Sequence, residues 1–217
     1  MIPQLVIGNK NYSSWSLRAW LILAKLGIKF EEIRIPLFRQ GYREKLLQYS
    51  PTAKVPVYLE EDLVVWDSLA IAEYLAEKHP HLLPSEPQQR ALAHSLAAEM
   101  HSGFLALRSQ MPMNCRATNR QVERTPELTN DINRILAMWT ECRNQNSEAG
   151  SWLLGDFTIV DAMYAPVVFR FNTYGVECQS AAKDYLDWVL RDTDIQHWYE
   201  AAQKETEIID KVEVGQV

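Results

Sequence analysis

The tightest constraint on this chain is a proline placed where a strand must begin. Lys54-Val55-Pro56-Val57-Tyr58 is followed, ten residues on, by Trp66-Asp67-Ser68-Leu69-Ala70-Ile71. Proline cannot donate to a sheet ladder, so Pro56 belongs at the first residue of a strand or on an edge. Val55 is pushed toward extended geometry by the proline after it. Its main-chain N–H and C=O are then free for a peptide-like ligand that binds as an added strand. The tight turn Glu60-Glu61-Asp62 leads to a second strand, Leu63 to Trp66, and directly into a helix. The first turn of that helix carries Asp67 and Ser68 and offers unpaired N–H groups, a seat for a carboxylate. One end of such a site holds a peptide backbone and the other an α-carboxylate, which describes a small acidic peptide.

The remaining segments supply the frame. Leu5-Val6-Ile7-Gly8 reads as a short buried strand, and Asn9 to Ser14 as a polar turn. Apolar residues then recur at helical spacing from Trp15 to Leu26, with Gly27 placed to stop the helix. Phe30 to Leu37 alternates as a second strand, and Phe38 to Ser50 reads as a short helix or an irregular segment. After the two strands near Val57 and Leu63, a helix runs from about Ser68 to His79. This βαβ, helix, ββ, helix order is that of a thioredoxin-like α/β domain.

Three prolines fall between His79 and Pro87 and mark a domain boundary. The expected organisation is a thioredoxin-like domain over residues 1–80, a linker over 81–87 and an all-α C-terminal domain over 88–217. Within the latter, helices are expected from Gln88 to Gln110, Glu127 to Asn144, Thr158 to Phe171, Ala181 to Arg191 and Ile195 to Gln203. Pro112 is expected to kink or end the first of these, and Pro126 suits the first turn of the second. Thr158-Ile159-Val160-Asp161 has the form of a reciprocal cap, with a folding role. The tail after Glu205 has no clear pattern.

Composition narrows the function. A net charge of -6 argues against non-specific nucleic-acid binding, which needs a basic footprint. Cys115, Cys142 and Cys178 are scattered, which points to a reducing, cytoplasmic compartment and away from a disulfide frame or a metal site. No apolar run reaches the roughly eighteen residues a membrane helix needs, so no membrane association is expected.

The Val55-Pro56 and Asp67-Ser68-Leu69-Ala70-Ile71-Ala72-Glu73-Tyr74-Leu75 pair, at this spacing, resembles the glutathione transferase family. The Gly155 to Ala162 run resembles that family's capped helix in the C-terminal domain. The resemblance implies the glutathione transferase fold, with glutathione as co-substrate and no metal, a small electrophilic second substrate and a homodimer. It implies that Val55 and Pro56 hold the cysteinyl backbone, Asp67 and Ser68 the γ-glutamyl end, and Lys54 the glycine carboxylate. Lys54 is as readily a solvated surface charge.

The reacting group is expected in the loop Asn11-Tyr12-Ser13-Ser14-Trp15-Ser16-Leu17-Arg18. Ser13 and Ser16 stand at the spacing where thioredoxins carry two cysteines, so no dithiol chemistry is possible there. The loop is most similar to the zeta class signature of two serines, cysteine and a later arginine, here Ser13, Ser14 and Arg18. Trp15 departs from it by standing in place of the cysteine, so thiolate activation carries over and the zeta substrate does not. Ser13 is the first candidate donor, Ser14 the second and Tyr12 a rival; both serines also suit a plain helix cap. Arg18 has a structural alternative as a tie between helix and loop. Met100, Met111 and Met113 read as core, His101 as a surface or interface residue, and Arg108 stays open. The enzyme reading competes with a non-catalytic binding or assembly module on the same fold, and with a zeta-like glutathione-dependent isomerase.

Overall fold

The structure is a computed structural model that describes residues 2–216. Strands β1 (Gln4–Ile7), β2 (Glu31–Arg34), β3 (Val57–Glu60) and β4 (Leu63–Trp66) form one sheet in the order β2-β1-β3-β4. β1 and β2 run parallel across helix α1 (Ser14–Lys25); β3 is antiparallel to β1, and β4 to β3. The alternation of side chains along a strand sorts the sheet into two faces. Leu5 and Ile7 of β1 and Tyr58 of β3 point into the main core, with α1 and helix α3 (Ser68–Lys78). Val6 and Val57 point the other way, into a smaller cluster with Ile35, Leu46 and Ala53 beneath helix α2 (Tyr42–Leu47). The Val55-Pro56 peptide bond is cis and delivers the chain into β3.

β2 is shorter than its alternation suggests. Ile35 N–H still reaches Ile7 C=O at 2.9 Å, but Pro36 has no N–H with which to extend the ladder.

Beyond a 3-10 turn at Pro80–Leu82, the described chain is helical: α4 (Pro87–Ser102), α5 (Leu105–Gln110), α6 (Pro126–Asn146), α7 (Ile159–Thr173), α8 (Ser180–Arg191) and α9 (Thr193–Gln203). The helix expected over 88–110 is two helices broken at Gly103 and Phe104, and the second ends at Gln110, just ahead of Pro112 as expected. A Cβ at Gly103 would lie 2.7 Å from the carbonyl oxygen of Glu99, and Phe104 adopts φ 56°, outside the helical region. Arg108 turns back to bond the carbonyls of Met100, His101 and Gly103, which closes the end of α4.

α7 is the axis of the molecule. Every residue in it except Asn172 is buried, as befits a helix that is apolar on all sides. Its start is held by the reciprocal cap: Thr158 Oγ1 accepts from Val160 N–H, and Asp161 Oδ2 accepts from Thr158 N–H at 2.9 Å. Asp161 Oδ1 also accepts from Leu153 N–H at 3.0 Å, tying the preceding loop to the helix. α1 and α4 both pack on α7, so the loop before α1 lies where the sheet and the helices meet.

Candidate active site

The candidate site has four pieces, three from the α/β part and one from the helical part. Asn9 fixes the first, the loop after β1. Asn9 C=O accepts from Tyr12 and Ser13 N–H, and its Oδ1 accepts from Leu37 N–H. Ser13 then caps α1: its Oγ accepts from Ser16 N–H at 3.3 Å. Ser16 Oγ accepts from Gly8 N–H at 3.0 Å and lies 2.7 Å from Ser13 Oγ. Either hydroxyl can donate in that contact, and where Ser16 donates, Ser13 keeps its own proton. Ser14 Oγ accepts from Arg170 Nη2 at 3.4 Å and keeps its own proton as well. Both serines are nearly buried, so a bond to either is made away from bulk water.

Tyr12 is differently placed. Its hydroxyl donates to Glu213 at 2.6 Å and accepts from Arg116 at 3.0 Å. Burial, then the bond to Glu213 and its charge, push this phenol above its usual range.

The second piece is Val55, whose N–H and C=O enter no hydrogen bond among the described residues. It stands directly before Pro56. Lys54 is exposed.

The third piece is the entry to α3. Asp67 has φ 77° and its Oδ1 accepts from Leu69 N–H at 2.8 Å and Ala70 N–H at 3.4 Å. The cap therefore uses one carboxylate oxygen and leaves Oδ2 available, 3.5 Å from His101 Nε2. Ser68 is fully buried, and its Oγ has no partner. A buried hydroxyl left unpaired is costly and needs an explanation, and a carboxylate arriving at this helix start supplies one.

The fourth piece comes from the helical part. His101 packs edge-on to Trp15 with centroids 5.5 Å apart, and Arg108 lies 4.8 Å from the same ring. Burial, and after it the charges of Arg18 and Arg108, hold the His101 imidazole below its usual range while Asp67 opposes them. His101 is partly exposed and lies between Trp15 and the α3 cap, an interface position within the chain. Met100, Met111 and Met113 are buried in the core.

Arg18 is fully buried and donates from Nε to Met163 C=O at 3.1 Å, which ties α1 to α7.

Sequence reasoning missed the role of the tail. Glu205 accepts from the N–H groups of Lys10 and Asn11, at 2.8 and 3.0 Å, and so clamps the turn ahead of Ser13. Glu213 binds Tyr12, Asn114 and Arg120. The density of glutamates after Glu205 is the signal that was present.

Residues 12–78 match the family model for the glutathione S-transferase N-terminal domain. The chain carries a glutathione S-transferase N-terminal domain. Among curated relatives, a maleylacetoacetate isomerase of Rattus norvegicus is 28% identical over 76% of this chain and 77% of that protein. A stringent starvation protein A homologue of Haemophilus influenzae is 28% identical over 85% of each. A probable maleylacetoacetate isomerase of Caenorhabditis elegans reaches 37%, over 44% of this chain and 45% of its own length. Among solved structures, a glutathione transferase homologue from Burkholderia with bound glutathione superposes with a TM-score of 0.71 at 22% identity, over 94% of this chain and all of that one. Ure2p in complex with glutathione gives 0.70 at 15%, over 90% and 97%. Likeness at these identities shows the glutathione transferase fold, an α/β thioredoxin-like domain followed by a helical part.

Proposed function

We propose that this chain is a glutathione transferase, which binds glutathione and holds its thiol as the thiolate for attack on an electrophilic small molecule. The observation that carries the reading is the buried, unpartnered hydroxyl of Ser68 at the start of α3. On this proposal it forms one end of a glutathione site whose other parts are the free main chain of Val55 and the hydroxyls of Ser13 and Ser14. In this reading Ser68 and Asp67 take the γ-glutamyl group, Val55 pairs with the cysteinyl backbone, Pro56 sets that pairing and Lys54 meets the glycine carboxylate.

Ser13 then donates to the sulfur. A thiol with a pKa of about 8.5 is only a few per cent ionised at neutral pH. Lowering that pKa by about two units takes roughly 2.7 kcal/mol of preference for the anion. A hydroxyl bonded to a charged acceptor contributes about 1.5–3 kcal/mol, and the start of α1 about 0.3–1 kcal/mol. The two suffice without a general base, and the protein is not itself modified.

The second reading, a glutathione-dependent isomerase, is favoured by the rat relative and by Ser13, Ser14 and Arg18. Product analysis separates them: conjugation consumes glutathione and isomerisation does not. The chain is further proposed to act in the cytoplasm as a homodimer, a state that the exposed Leu63, Val64 and Trp66 of the edge strand β4 would suit. The decisive test is thermal melting with and without millimolar glutathione. Saturation at a hundred times Kd stabilises a protein by about 2.7 kcal/mol, a shift of several degrees. An unmoved melting temperature would leave the non-catalytic module as the surviving reading.

A further inference from the structure

Two ends of the chain meet at one peptide turn, Asn9-Lys10-Asn11, between β1 and α1 and just ahead of Ser13. α9 and the segment after it grip this turn with donors and acceptors of matching sense. Trp198, fully buried on α9, donates from Nε1 to Lys10 C=O at 3.0 Å. Glu205 Oε1 accepts from Lys10 N–H at 2.8 Å, and Oε2 accepts from Asn11 N–H at 3.0 Å. Glu205 N–H in turn donates to Ala202 C=O at 3.2 Å, so this carboxylate is carried by the end of α9.

The grip is shaped for a carboxylate. Two successive N–H groups point at one side chain, and each oxygen takes one of them. An amide of the same size has a single acceptor atom and would set its NH2 against the second N–H. The Glu205 side chain is 7% exposed, so water does not readily replace a lost acceptor there. Arg34 Nη1 stands 3.2 Å from Oε1 and balances the charge, and Arg116 Nη1 donates to Glu205 C=O.

The same turn suspends Ser13. Asn9 C=O accepts from Ser13 N–H at 2.8 Å and from Tyr12 N–H at 3.2 Å. Asn11 C=O is held from the helical part by Cys115 N–H at 3.1 Å, and Asn11 Oδ1 by Arg116 N–H at 2.8 Å. The Ser13 hydroxyl has only Ser16 to hold it on the α1 side. Its position therefore follows the peptide planes at Lys10 and Asn11, and a hydrogen bond weakens steeply when donor and acceptor are misaligned.

We propose that Glu205 is a positioning residue for the sulfur donor: by clamping the turn at Lys10 and Asn11 it holds the Ser13 hydroxyl where it bonds the glutathione sulfur. The inference rests on the glutathione reading above, and Glu205 acts through the main chain of the turn rather than on the ligand.

The test is Glu205→Gln in the full chain, beside Glu207→Gln. Glu207 pairs with Arg34 at 2.9 Å and, among the described residues, accepts from no N–H of the turn, so it repeats the charge change without the clamp. The pKa of bound glutathione is read from thiolate absorbance against pH, and affinity from calorimetry with S-methylglutathione, which has no thiol to ionise. Glu205→Gln should raise that pKa by about half a unit or more, about a threefold loss of thiolate below it, with S-methylglutathione affinity within about twofold. Glu207→Gln should move neither. In a Ser13→Ala background Glu205→Gln should add no further rise, because the group it positions is gone. If Glu205→Gln does not fold, Arg34→Gln, at an exposed position, removes the charge partner of Glu205 and should give a smaller rise. An unmoved titration in the folded variant, an equal rise in Glu207→Gln, or a full further rise in the Ser13→Ala background overturns the inference and leaves glutathione binding intact. Failure of the unsubstituted protein to bind glutathione and S-methylglutathione overturns the glutathione reading and this inference with it.

Discussion

Replacing Ser13 by alanine separates the helix cap it forms from the sulfur donor it is proposed to be. As the cap of α1 it accepts a long bond, 3.3 Å, from Ser16 N–H, so its loss should cost about 0.5–2 kcal/mol of stability and toward the lower end of that range. Ser16 retains its bond from Gly8 N–H, which limits the damage to the loop. As the sulfur donor it contributes about 1.5–3 kcal/mol, which at 1.36 kcal/mol per unit raises the pKa of bound glutathione by about one to two units. The assay is the ultraviolet absorbance of the thiolate, titrated against pH with saturating glutathione, beside a melting curve of the same variant. At neutral pH kcat/KM should fall roughly ten- to a hundredfold, and Ser13→Thr should recover most of it. Ser14→Ala should move the titration less, because its hydroxyl is held from the far side by Arg170 and caps nothing. A lower melting temperature with an unmoved titration in Ser13→Ala would reduce Ser13 to a helix cap and pass the sulfur to Ser14.

Other substitutions probe the remaining parts of the site and frame. Ser68→Ala should leave the free protein unchanged or slightly stabilised, since it removes a buried hydroxyl with no partner, yet weaken glutathione roughly tenfold; equal affinity would refute the carboxylate seat. Tyr12→Phe should cost about 1–3 kcal/mol in denaturant unfolding, through the lost bond to Glu213, with the thiolate titration unaltered. Asp161 is pushed up to about 6 by burial, against the N–H groups of Leu153 and Thr158, from an ordinary value of 3.8. Because the native state holds this proton more tightly than the unfolded chain, the associated stability is full below about 3.8 and is lost as pH rises through about 6, roughly 3 kcal/mol in all. Urea unfolding of Asp161→Asn, which cannot titrate there, should lack that decline, and parallel pH profiles would refute it.

The order of strands and helices could be read from the sequence because each short segment carries its own punctuation. Pro56 can only open a strand, Gly27 ends α1, and Thr158 with Asp161 starts α7 by bonding each other's backbone, so these features need no distant partner. The split between α4 and α5 depends on one instead: Arg108 must fold back onto the carbonyls of Met100, His101 and Gly103, and no local periodicity records that. The same division runs through the site. Val55, Pro56, Asp67 and Ser68 take their geometry from their own main chain or the helix they begin, so that local geometry was legible, and their role at a site remains the proposal above. His101, Arg108 and Arg170 reach Trp15 and Ser14 only because α7 packs on α1, with α4 on α7, and Glu205 reaches the turn only because the tail returns across it at Lys10.

That contrast also bears on how the two halves of the cleft would diverge. The proposed glutathione end is built largely from the local cap at Asp67, whose hydrogen bonds close within three residues and so would survive change elsewhere. The other end is assembled from several helices around the Trp15 ring in the first turn of α1, so a single exchange there, Trp15 for a smaller residue, would free the two guanidinium groups now stacked over it. Arg18 and Arg108 would then lose their cation–π partner, an effect of about 0.5–2 kcal/mol each, while Ser13 and Ser68 would keep every bond they now make. On the proposed reading, long-range packing would set the electrophile and short-range geometry would set the thiol.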